Sequence, residues 1–306
     1  MSTSSNRDLV RPKKALGQHF LTDQSVAQAI VSALRGAGPV LEVGPGMGVL
    51  TQYLLKRSDI DLKVVEIDTE SVAWLLEHFP QIAKGLYEAD FLKLDLSHLF
   101  AGDFAIIGNF PYNISSQIFF KVLDFRNQVP EVVCMIQKEV AERIAAGPGS
   151  KTYGILSVLL QAWYDIEYLF TVGEGCFVPP PKVKSAVIRL TRNSRPSLDC
   201  DENLFKQIVK TTFNQRRKTI RNSIKPLLSS RPAGAGKAAA GSATSNISSA
   251  GRPSLAAEAQ SALPDGAVEG VTAPARRGLE GLPFLDARPE QLSVEDFITL
   301  TRAFGQ

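Results

Sequence analysis

The fold of this chain is decided by the stretch Val40-Leu41-Glu42-Val43-Gly44-Pro45-Gly46-Met47-Gly48. A short apolar run ends there in a glycine-rich loop, and a helical pattern follows at 49–56. A glycine loop between a strand and a helix is where doubly wound α/β folds bind a nucleotide-like ligand. The stretch therefore predicts such a fold with a ligand at the loop. A tight strand-to-helix turn without a ligand is the simpler alternative.

The surrounding sequence repeats this alternation of apolar runs and helical patterns. The predicted strands are 40–43, 63–67, 86–89, 104–108 and 132–136, and the predicted helices are 49–56, 70–78, 116–125, 139–146 and 155–163. Two further strands, 165–172 and 183–190, flank a proline-rich loop and are expected to form a hairpin at one sheet edge. The pattern is typical of a doubly wound α/β sheet covered by helices on both faces.

The character of the chain changes near residue 193, which predicts two domains. We expect a flexible basic N-terminus at 1–14, the α/β domain at 15–192 and a helical domain at 193–306. The helical domain contains a basic helical stretch at 202–228 and a last helix near 288–304, where Ser293 is the expected cap. Between them, 229–281 is rich in Ala, Gly, Ser and Pro, so we expect disorder there.

Composition excludes several classes of protein. No segment approaches the roughly 18 apolar residues of a membrane span, and a cytoplasmic protein is expected. The three cysteines are widely separated, which predicts free thiols and no metal site. A net charge of +3 is too small to predict a nucleic-acid partner by itself.

The details of the glycine loop favour one cofactor. A dinucleotide fingerprint would need a small residue where Val49 stands, and Pro45 removes one amide that would bind a pyrophosphate. No Lys-Ser/Thr pair follows, which argues against a phosphate-binding P-loop. S-adenosylmethionine has no phosphate, so it suits a loop containing Gly44 and Gly46. A nicotinamide-dependent dehydrogenase is the structural rival, but the chain offers no base and proton relay in the required order.

Acidic residues end the next two predicted strands. Glu66 is placed to accept hydrogen bonds from the ribose hydroxyls, and Asp90 to accept one from the adenine amino group. Taken alone, each is as readily explained as a solvated carboxylate. Their order behind the glycine loop favours the cofactor hypothesis.

The fourth predicted strand ends in Asn109-Phe110-Pro111-Tyr112, which offers groups that grip an amino nitrogen. The Asn109 side-chain oxygen and the carbonyl before Pro111 are acceptors for one NH2 group, and Tyr112 is a stacking surface. Phe177 is the candidate for the other face of a base. These residues predict chemistry at the exocyclic amino group of a base. The alternatives are a simple turn and, for Phe177, a core aromatic side chain.

Across residues 11–228 and 288–304, the chain resembles the KsgA-type ribosomal RNA adenine N6,N6-dimethyltransferases. The motifs that carry the resemblance are 13–21, 42–48, 65–68, 88–90, 108–112 and 177–183. It implies a Rossmann-like S-adenosylmethionine-dependent methyltransferase domain with a small helical C-terminal domain. It also implies that His19 and Leu21 line the cofactor pocket together with Gly44, Glu66, Asp90 and Asn109. Without the resemblance, His19 is simply a surface histidine.

The resemblance further implies a substrate: two adjacent adenosines in the 3′-terminal hairpin loop of 16S ribosomal RNA, within a precursor of the small subunit. We expect a monomer. Two alternatives stay open, namely a methyltransferase for large-subunit RNA and a noncatalytic assembly factor. The insertion at 229–281 is longer than the compact helical connection of the family.

Positive charge within 202–228 predicts where RNA phosphates bind. The candidate residues are Arg216, Arg217, Lys218, Arg221 and Lys225. Arg217, Arg221 and Lys225 are spaced by four residues, which predicts that they share one helical face. The alternative is a solvated helix surface. Arg11, Lys13 and Lys14 form a second basic segment near the predicted cofactor pocket.

Overall fold

The structure is a computed structural model, and it describes residues 10, 12–13, 16–229, 279 and 281–305. Most of the predicted flexible N-terminus and most of the predicted insertion lie outside these residues. The chain divides into two compact units. The first comprises the described residues up to Ala146 together with Trp163–Ser194, and the second comprises Gly147–Ala162 and the described residues from Arg195 onward.

A seven-stranded sheet is the centre of the first unit. Its strands are β2 (Gly38–Val43), β3 (Ile60–Glu66), β4 (Leu86–Glu88), β5 (Ala105–Asn109), β6 (Glu131–Gln137), β7 (Tyr164–Val172) and β9 (Ser185–Arg192). The order is β4-β3-β2-β5-β6-β9-β7. The first five strands in that order run parallel, while β9 is antiparallel to both of its neighbours. A separate pair joins β1 (Phe20–Leu21) to β8 (Phe177–Val178).

The burial of each strand explains its sequence pattern. The residues of β6 from Glu131 to Ile136 are all buried, so this central strand is a continuous apolar run rather than an alternating one. By contrast, β7 lies at the sheet edge and is mostly half-exposed. The predicted hairpin of 165–172 and 183–190 is confirmed as the pair β7 and β9.

Five α-helices belong to the first unit within the part of the chain that is described. They are α1 (Gln24–Ala33), α2 (Thr51–Leu54), α3 (Thr69–His78), α4 (Ser115–Asp124) and α5 (Lys138–Ala145). The sequence prediction missed α1, although Asp23 caps it by accepting hydrogen bonds from the amides of Ser25 and Val26. Its buried face packs in the same core cluster as Val133 and Met135 of β6.

The second unit is helical. Its α-helices with described bounds are α6 (Ile155–Gln161), α7 (Glu202–Asn214), α8 (Ile220–Ser223), α9 (Lys225–Ser229) and α10 (Val294–Gly305). The sequence-based division placed α6 in the α/β domain, and the structure differs. Both α6 and α10 pack on α7. Tyr153, just before α6, meets Phe213 edge-on with ring centroids 6.1 Å apart.

The basic stretch 202–228 is not one helix, and this corrects the prediction. After α7 ends, 215–219 form a turn, and the amides of Ile220 and Arg221 donate to the carbonyls of Ala287 and Leu285. Those amides are therefore not available to extend α7. Because the helix is broken, the predicted stripe of basic residues at four-residue spacing does not exist.

The last helix follows its prediction closely. Ser293 and Asp296 cap it reciprocally: Asp296 Oδ2 accepts from the Ser293 amide at 2.8 Å, and Ser293 Oγ accepts from the Asp296 amide at 3.2 Å. Among the described residues, no helix is both long and apolar enough to cross a membrane.

Candidate active site

A cavity of about 210 Å³ opens where the parallel strands β2 to β5 end. Carboxyl ends of neighbouring parallel strands meet at one sheet edge, which is where α/β folds bind ligands. Every residue predicted to contact the cofactor lies in the cavity wall: His19, Leu21, Gly44, Gly46, Glu66, Asp90 and Asn109. Pro111 and Tyr112 line it as well.

The glycine amides of the loop donate their hydrogen bonds to acceptors within the protein. Gly44 donates to the Val65 carbonyl, Gly46 to the Glu66 side chain and Gly48 to the Pro45 carbonyl. Pro45 has no amide hydrogen. A phosphate needs several free amides converging on it, so this loop suits a ligand without phosphate.

Gly46 is required by its position. Its φ of +57° lies in the left-handed region, and a Cβ atom there would stand 2.9 Å from the Phe20 ring. The loop can therefore pass between the β1 segment and β3 only with glycine at this position.

The charge of the cavity wall also selects the ligand. The carboxylates of Glu66 and Asp90 line it, whereas no lysine or arginine does so in the described part of the chain. An acidic wall repels phosphates and attracts cations. The residues present fit S-adenosylmethionine, which carries a sulfonium cation, ribose hydroxyls and an adenine amino group.

Glu66 is held in place by backbone amides. Its Oε1 accepts from the amides of Ile67 and Asp68 at 2.8 and 2.9 Å, and its Oε2 accepts from the Gly46 amide at 3.0 Å. Burial raises the pKa of this carboxyl against the opposing effect of the three amides. Oε2 keeps capacity for one more donor, as a ribose hydroxyl would supply.

Glu42 is a second acid that sequence reasoning overlooked as a functional group. It is fully buried at the end of β2, where Thr51 Oγ1 donates to its Oε2 at 2.7 Å. Its Oε1 has no hydrogen-bond partner among the described residues. Burial, with the nearby Glu66, raises the pKa of Glu42 to about 8.

The orientation of the Asn109 amide is fixed by a neighbouring backbone group. Asn109 ends β5, and its side-chain nitrogen donates to the His19 carbonyl at 3.1 Å. A carbonyl is only an acceptor, so the atom facing it must be the nitrogen. The Oδ1 atom is consequently presented as an acceptor in the cavity wall.

Tyr112 is held on two sides. Its hydroxyl is hydrogen-bonded to the hydroxyl of Ser185, a fully buried residue at the start of β9. Its ring stacks on His19 with centroids 5.5 Å apart, and His19 Nδ1 donates to the Pro179 carbonyl at 2.9 Å. Burial raises the pKa of Tyr112, so the phenol is neutral at physiological pH.

Phe177 does not line the cavity, and this corrects its predicted place. It pairs with Leu21 across β1 and β8, and side chains alternate in direction along a strand. Phe177 therefore turns inward, is 2% exposed and packs in the core cluster with Leu21 and Ile30, while Val178 is 59% exposed. Phe177 is therefore a core aromatic side chain, which was the alternative that the sequence left open.

The predicted RNA-binding residues lie in the second unit between 216 and 225. Arg217, Lys218, Arg221 and Lys225 are exposed, and Arg216 is half-buried. Arg216 is paired with Glu290 at 3.5 Å, and Arg221 with Asp286 at 3.1 Å. Lys13 of the second basic segment pairs with Asp68, and Arg11 and Lys14 lie outside the described residues.

The sheet order, together with an acidic cavity that suits a ligand without phosphate, is that of a Rossmann-like S-adenosylmethionine-dependent methyltransferase. Comparison with known proteins narrows the class. Residues 10–242 match the family model described as ribosomal RNA adenine dimethylase. The ribosomal RNA small subunit methyltransferase A of Parabacteroides distasonis is 57% identical over 295 residues, which are 96% of this chain and 94% of that protein. The chain belongs to the ribosomal RNA adenine dimethylase family, whose reaction uses S-adenosylmethionine to dimethylate adenine in ribosomal RNA.

Two solved structures share the fold. A dimethyladenosine transferase from Plasmodium falciparum has a TM-score of 0.71 at 22% identity, covering 94% of this chain and 98% of its own. The 23S rRNA methyltransferase ErmE has a TM-score of 0.61 at 23% identity, covering 94% of this chain and 100% of its own. At these identities the likeness concerns the fold alone.

Proposed function

We propose that this chain methylates the N6 atoms of two adjacent adenosines in the 3′-terminal hairpin loop of 16S ribosomal RNA. The substrate is the RNA within a precursor of the small ribosomal subunit. The name of the Parabacteroides distasonis relative, a small subunit methyltransferase, supports the small subunit over the large one. We place the protein in the cytoplasm as a monomer, as part of the same proposal.

The observation that carries the proposal is the fixed Asn109 amide. Its Oδ1 is an acceptor in the cavity wall, one residue before the Phe110 carbonyl. Two acceptors placed together match the two hydrogens of an adenine amino group. Tyr112, two residues further on, supplies a flat surface for an extruded base.

The chemistry follows from orientation. The N6 lone pair is delocalised into the adenine ring, so N6 is a weak nucleophile. Hydrogen bonds from its two N–H groups to Asn109 and to the Phe110 carbonyl favour a more pyramidal nitrogen. The cofactor supplies a methyl group on a sulfonium. As N6 gains the methyl carbon, the carbon–sulfur bond breaks and N6 loses one proton to solvent. Positioning and electrostatics accelerate this step without a strong general base.

The remaining cavity residues hold the cofactor in this proposal. Glu66 accepts from the ribose and Asp90 from the adenine amino group of the cofactor. His19, Leu21, Gly44 and Gly46 shape the wall. Phe177 receives no contact with the base, because its ring is buried in the core.

The exposed cations of the second unit bind RNA phosphates in this proposal. Arg217, Lys218, Arg221 and Lys225 supply the charge, and Arg216 supports the turn by donating to the Lys151 carbonyl at 2.6 Å. Phosphate contacts position a protein on RNA without reading its sequence. Selection of the two adenosines is then the task of the cavity and the shape of the hairpin.

The test is Asn109→Ala assayed on unmethylated small subunits, with Asn127→Ala, an exposed asparagine, as the control. We expect methyl transfer by Asn109→Ala to fall by about 10²–10³-fold, as when one hydrogen-bonding group for the reacting atoms is removed. Binding of S-adenosylhomocysteine, measured by calorimetry, reports separately on the cofactor pocket. Full methyl transfer by Asn109→Ala would contradict the proposed catalytic role.

The same variant separates an enzyme from a noncatalytic assembly factor. If subunit maturation depends on methylation, cells carrying Asn109→Ala behave like cells that lack the gene. Normal maturation in cells whose Asn109→Ala protein is inactive as a methyltransferase would identify assembly as the principal role.

A further inference from the structure

The loop that carries Asp90 is folded around its own carboxylate. Asp90 Oδ1 accepts from the Leu92 amide at 2.9 Å, and the Asp90 carbonyl accepts from the amides of Lys93 and Leu94 at 3.0 Å. These bonds form one compact turn, so the direction of the Asp90 carboxylate depends on where this turn is held.

A lysine from a distant helix holds that turn. Lys121 lies on α4, and its Nζ donates to the Leu92 carbonyl at 3.0 Å and also to the Leu94 carbonyl. The same ammonium group stands 5.4 Å from the Phe91 ring centroid. Phe91 lines the cofactor cavity directly after Asp90.

Lys121 is a half-buried lysine, and the ammonium group of such a residue loses part of its hydration. Burial lowers the pKa of Lys121, and the nearby carboxylates Asp90, Asp95 and Asp124 act in the opposite direction. A half-buried ammonium costs free energy unless its hydrogens are bonded. Two carbonyls and an aromatic ring satisfy it here, which ties α4 to the turn by strong, charge-assisted bonds.

We propose that Lys121 is a positioning residue that sets how strongly the enzyme selects the adenine of its cofactor. By fixing the turn 90–94, it aims the Asp90 carboxylate at the adenine amino group. The proposal rests on the assignment of Asp90 to that amino group in the proposed function. It requires no RNA, so its test is independent of the RNA substrate.

The experiment compares two ligands by calorimetry with the whole protein. S-adenosylhomocysteine has the amino group that Asp90 accepts from, whereas S-inosylhomocysteine has an oxygen there, which a carboxylate repels. The wild-type protein should therefore prefer the adenosyl ligand. A site built to bond a particular donor strongly rejects an analogue that lacks it.

We expect Lys121→Met to lower the preference for the adenosyl ligand by roughly fivefold to tenfold, the equivalent of one hydrogen bond. Lys121→Arg keeps a donor for the two carbonyls and should retain most of the preference. If Lys121→Met does not fold, Lys121→Leu, which also lacks a donor, serves in its place. Hydrogen exchange at the Leu92 and Leu94 amides should accelerate in the variants that lose the preference.

Lys63→Met is the matched control. Lys63 also donates to a backbone carbonyl, that of Leu99, and lies 4.3 Å from the Phe100 ring centroid. Its loss should lower stability without changing the ratio of the two affinities. A purely structural role for Lys121 predicts the same result for Lys121→Met, and an unchanged ratio in that variant would overturn the proposal.

Asp90→Ala separates the role of Asp90 from the role of Lys121. If it abolishes the preference while Lys121→Met leaves the preference intact, the Asp90 assignment stands and the role of Lys121 is wrong. If Asp90→Ala itself leaves the preference intact, both are wrong. Loss of the preference in both variants supports the proposal.

Discussion

At the scale of single residues, the site depends on polar side chains that are held in place by hydrogen bonds to the protein. Each of them keeps one oxygen atom that can still accept a hydrogen bond from a ligand. Asn109 gives its nitrogen to the His19 carbonyl and keeps its oxygen. Glu66 accepts three amides and retains capacity on Oε2. Such bonds fix direction before any ligand binds, and preorganised groups need no rearrangement during the reaction.

The hydroxyl groups of Tyr112 and Ser185 form one hydrogen bond with each other, so the effects of the two substitutions on RNA binding should not be additive. Tyr112→Phe and Ser185→Ala each remove that bond while the stacking ring remains. We expect either change to raise the KM for the RNA by a similar factor, and the double variant to be no worse than one change alone. The coupling in a double-mutant cycle should be about 1 kcal/mol.

Tyr168→Phe is the control for that cycle, because its hydroxyl bonds Thr171 on the edge strand β7. It should leave the kinetics unchanged. Additive effects of Tyr112→Phe and Ser185→Ala would show that Ser185 does not position Tyr112.

Glu42 should make stability depend on pH. Its folded-state pKa of about 8 lies above the ordinary value of 4.5, so the folded protein keeps a proton that the unfolded chain releases. Stability from this group is complete below about pH 4.5 and is lost as pH rises towards 8. Glu42→Gln removes that dependence, so its stability relative to wild type should rise by at most about 1.4 kcal/mol per pH unit in this window.

Urea unfolding of wild type and Glu42→Gln between pH 5 and pH 8, roughly the window in which the two states differ in protonation, measures this effect. Parallel stability curves for the two proteins would mean that Glu42 is ionised in the folded state.

The residues of the site divide into those that sequence can predict and those that it cannot. Glu66, Asp90 and Asn109 follow from strand ends, because chain order alone brings those ends to one sheet edge. The position of Phe177 could not be predicted, since it depends on the pairing of two-residue strands. Lys121 and Ser185 were missed because their partners lie 27 to 73 residues away in sequence.

At the scale of elements, the close contact between β2 and β5 depends on Gly108. A Cβ atom there would stand 2.4 Å from the Val43 carbonyl oxygen, which is backbone and cannot turn aside. We expect Gly108→Ala to separate the two strands and to lower the free energy of unfolding by about 1–3 kcal/mol. Because both strands end at the cavity, cofactor affinity should fall as well.

Gly102→Ala is the control, because nothing lies within 4 Å of a Cβ atom at Gly102. Denaturant unfolding of both variants measures the difference. Equal stability of Gly108→Ala and wild type would contradict the described approach of the strands.

Elements with strong local patterns were the predictable ones. The parallel strands β2 to β6 are short apolar runs with turn residues after them, so periodicity found all five. The stretch 202–228 was predicted as one helix because its composition is helical, but amides at 220 and 221 bond to carbonyls at 287 and 285. Such a long-range competitor leaves no local signal.

At the scale of the whole molecule, the division of the chain is not sequential. Residues 147–162 belong to the second unit although they interrupt the first in sequence. The amide of Gly149 donates to the Glu290 carbonyl at 2.6 Å, a contact between segments far apart in the chain. A domain boundary predicted from composition assigns residues 147–162 to the first domain, because the segments on either side of them in sequence belong to it.

The charge of the second unit should appear in the salt dependence of RNA binding. Arg217 is exposed, and no ion pair of its side chain is found among the described residues. Arg217→Glu should weaken binding to small subunits and reduce the slope of log K against log salt by about 0.7–0.9 for a lost phosphate contact. Cofactor affinity should not change. Lys84→Glu, an exposed reversal in the first unit, is the control, and identical slopes for the two variants would exclude a phosphate contact at Arg217.

Mapping of the methylated product tests the proposed substrate directly. The protein is incubated with methyl-labelled S-adenosylmethionine and unmethylated small subunits, and the labelled nucleosides are located in the RNA. We expect N6,N6-dimethyladenosine at two adjacent positions in the 3′-terminal hairpin loop, and about 10²–10³-fold slower labelling with Asn109→Ala. Label at another site of the small subunit, or transfer only to large-subunit RNA, would contradict it.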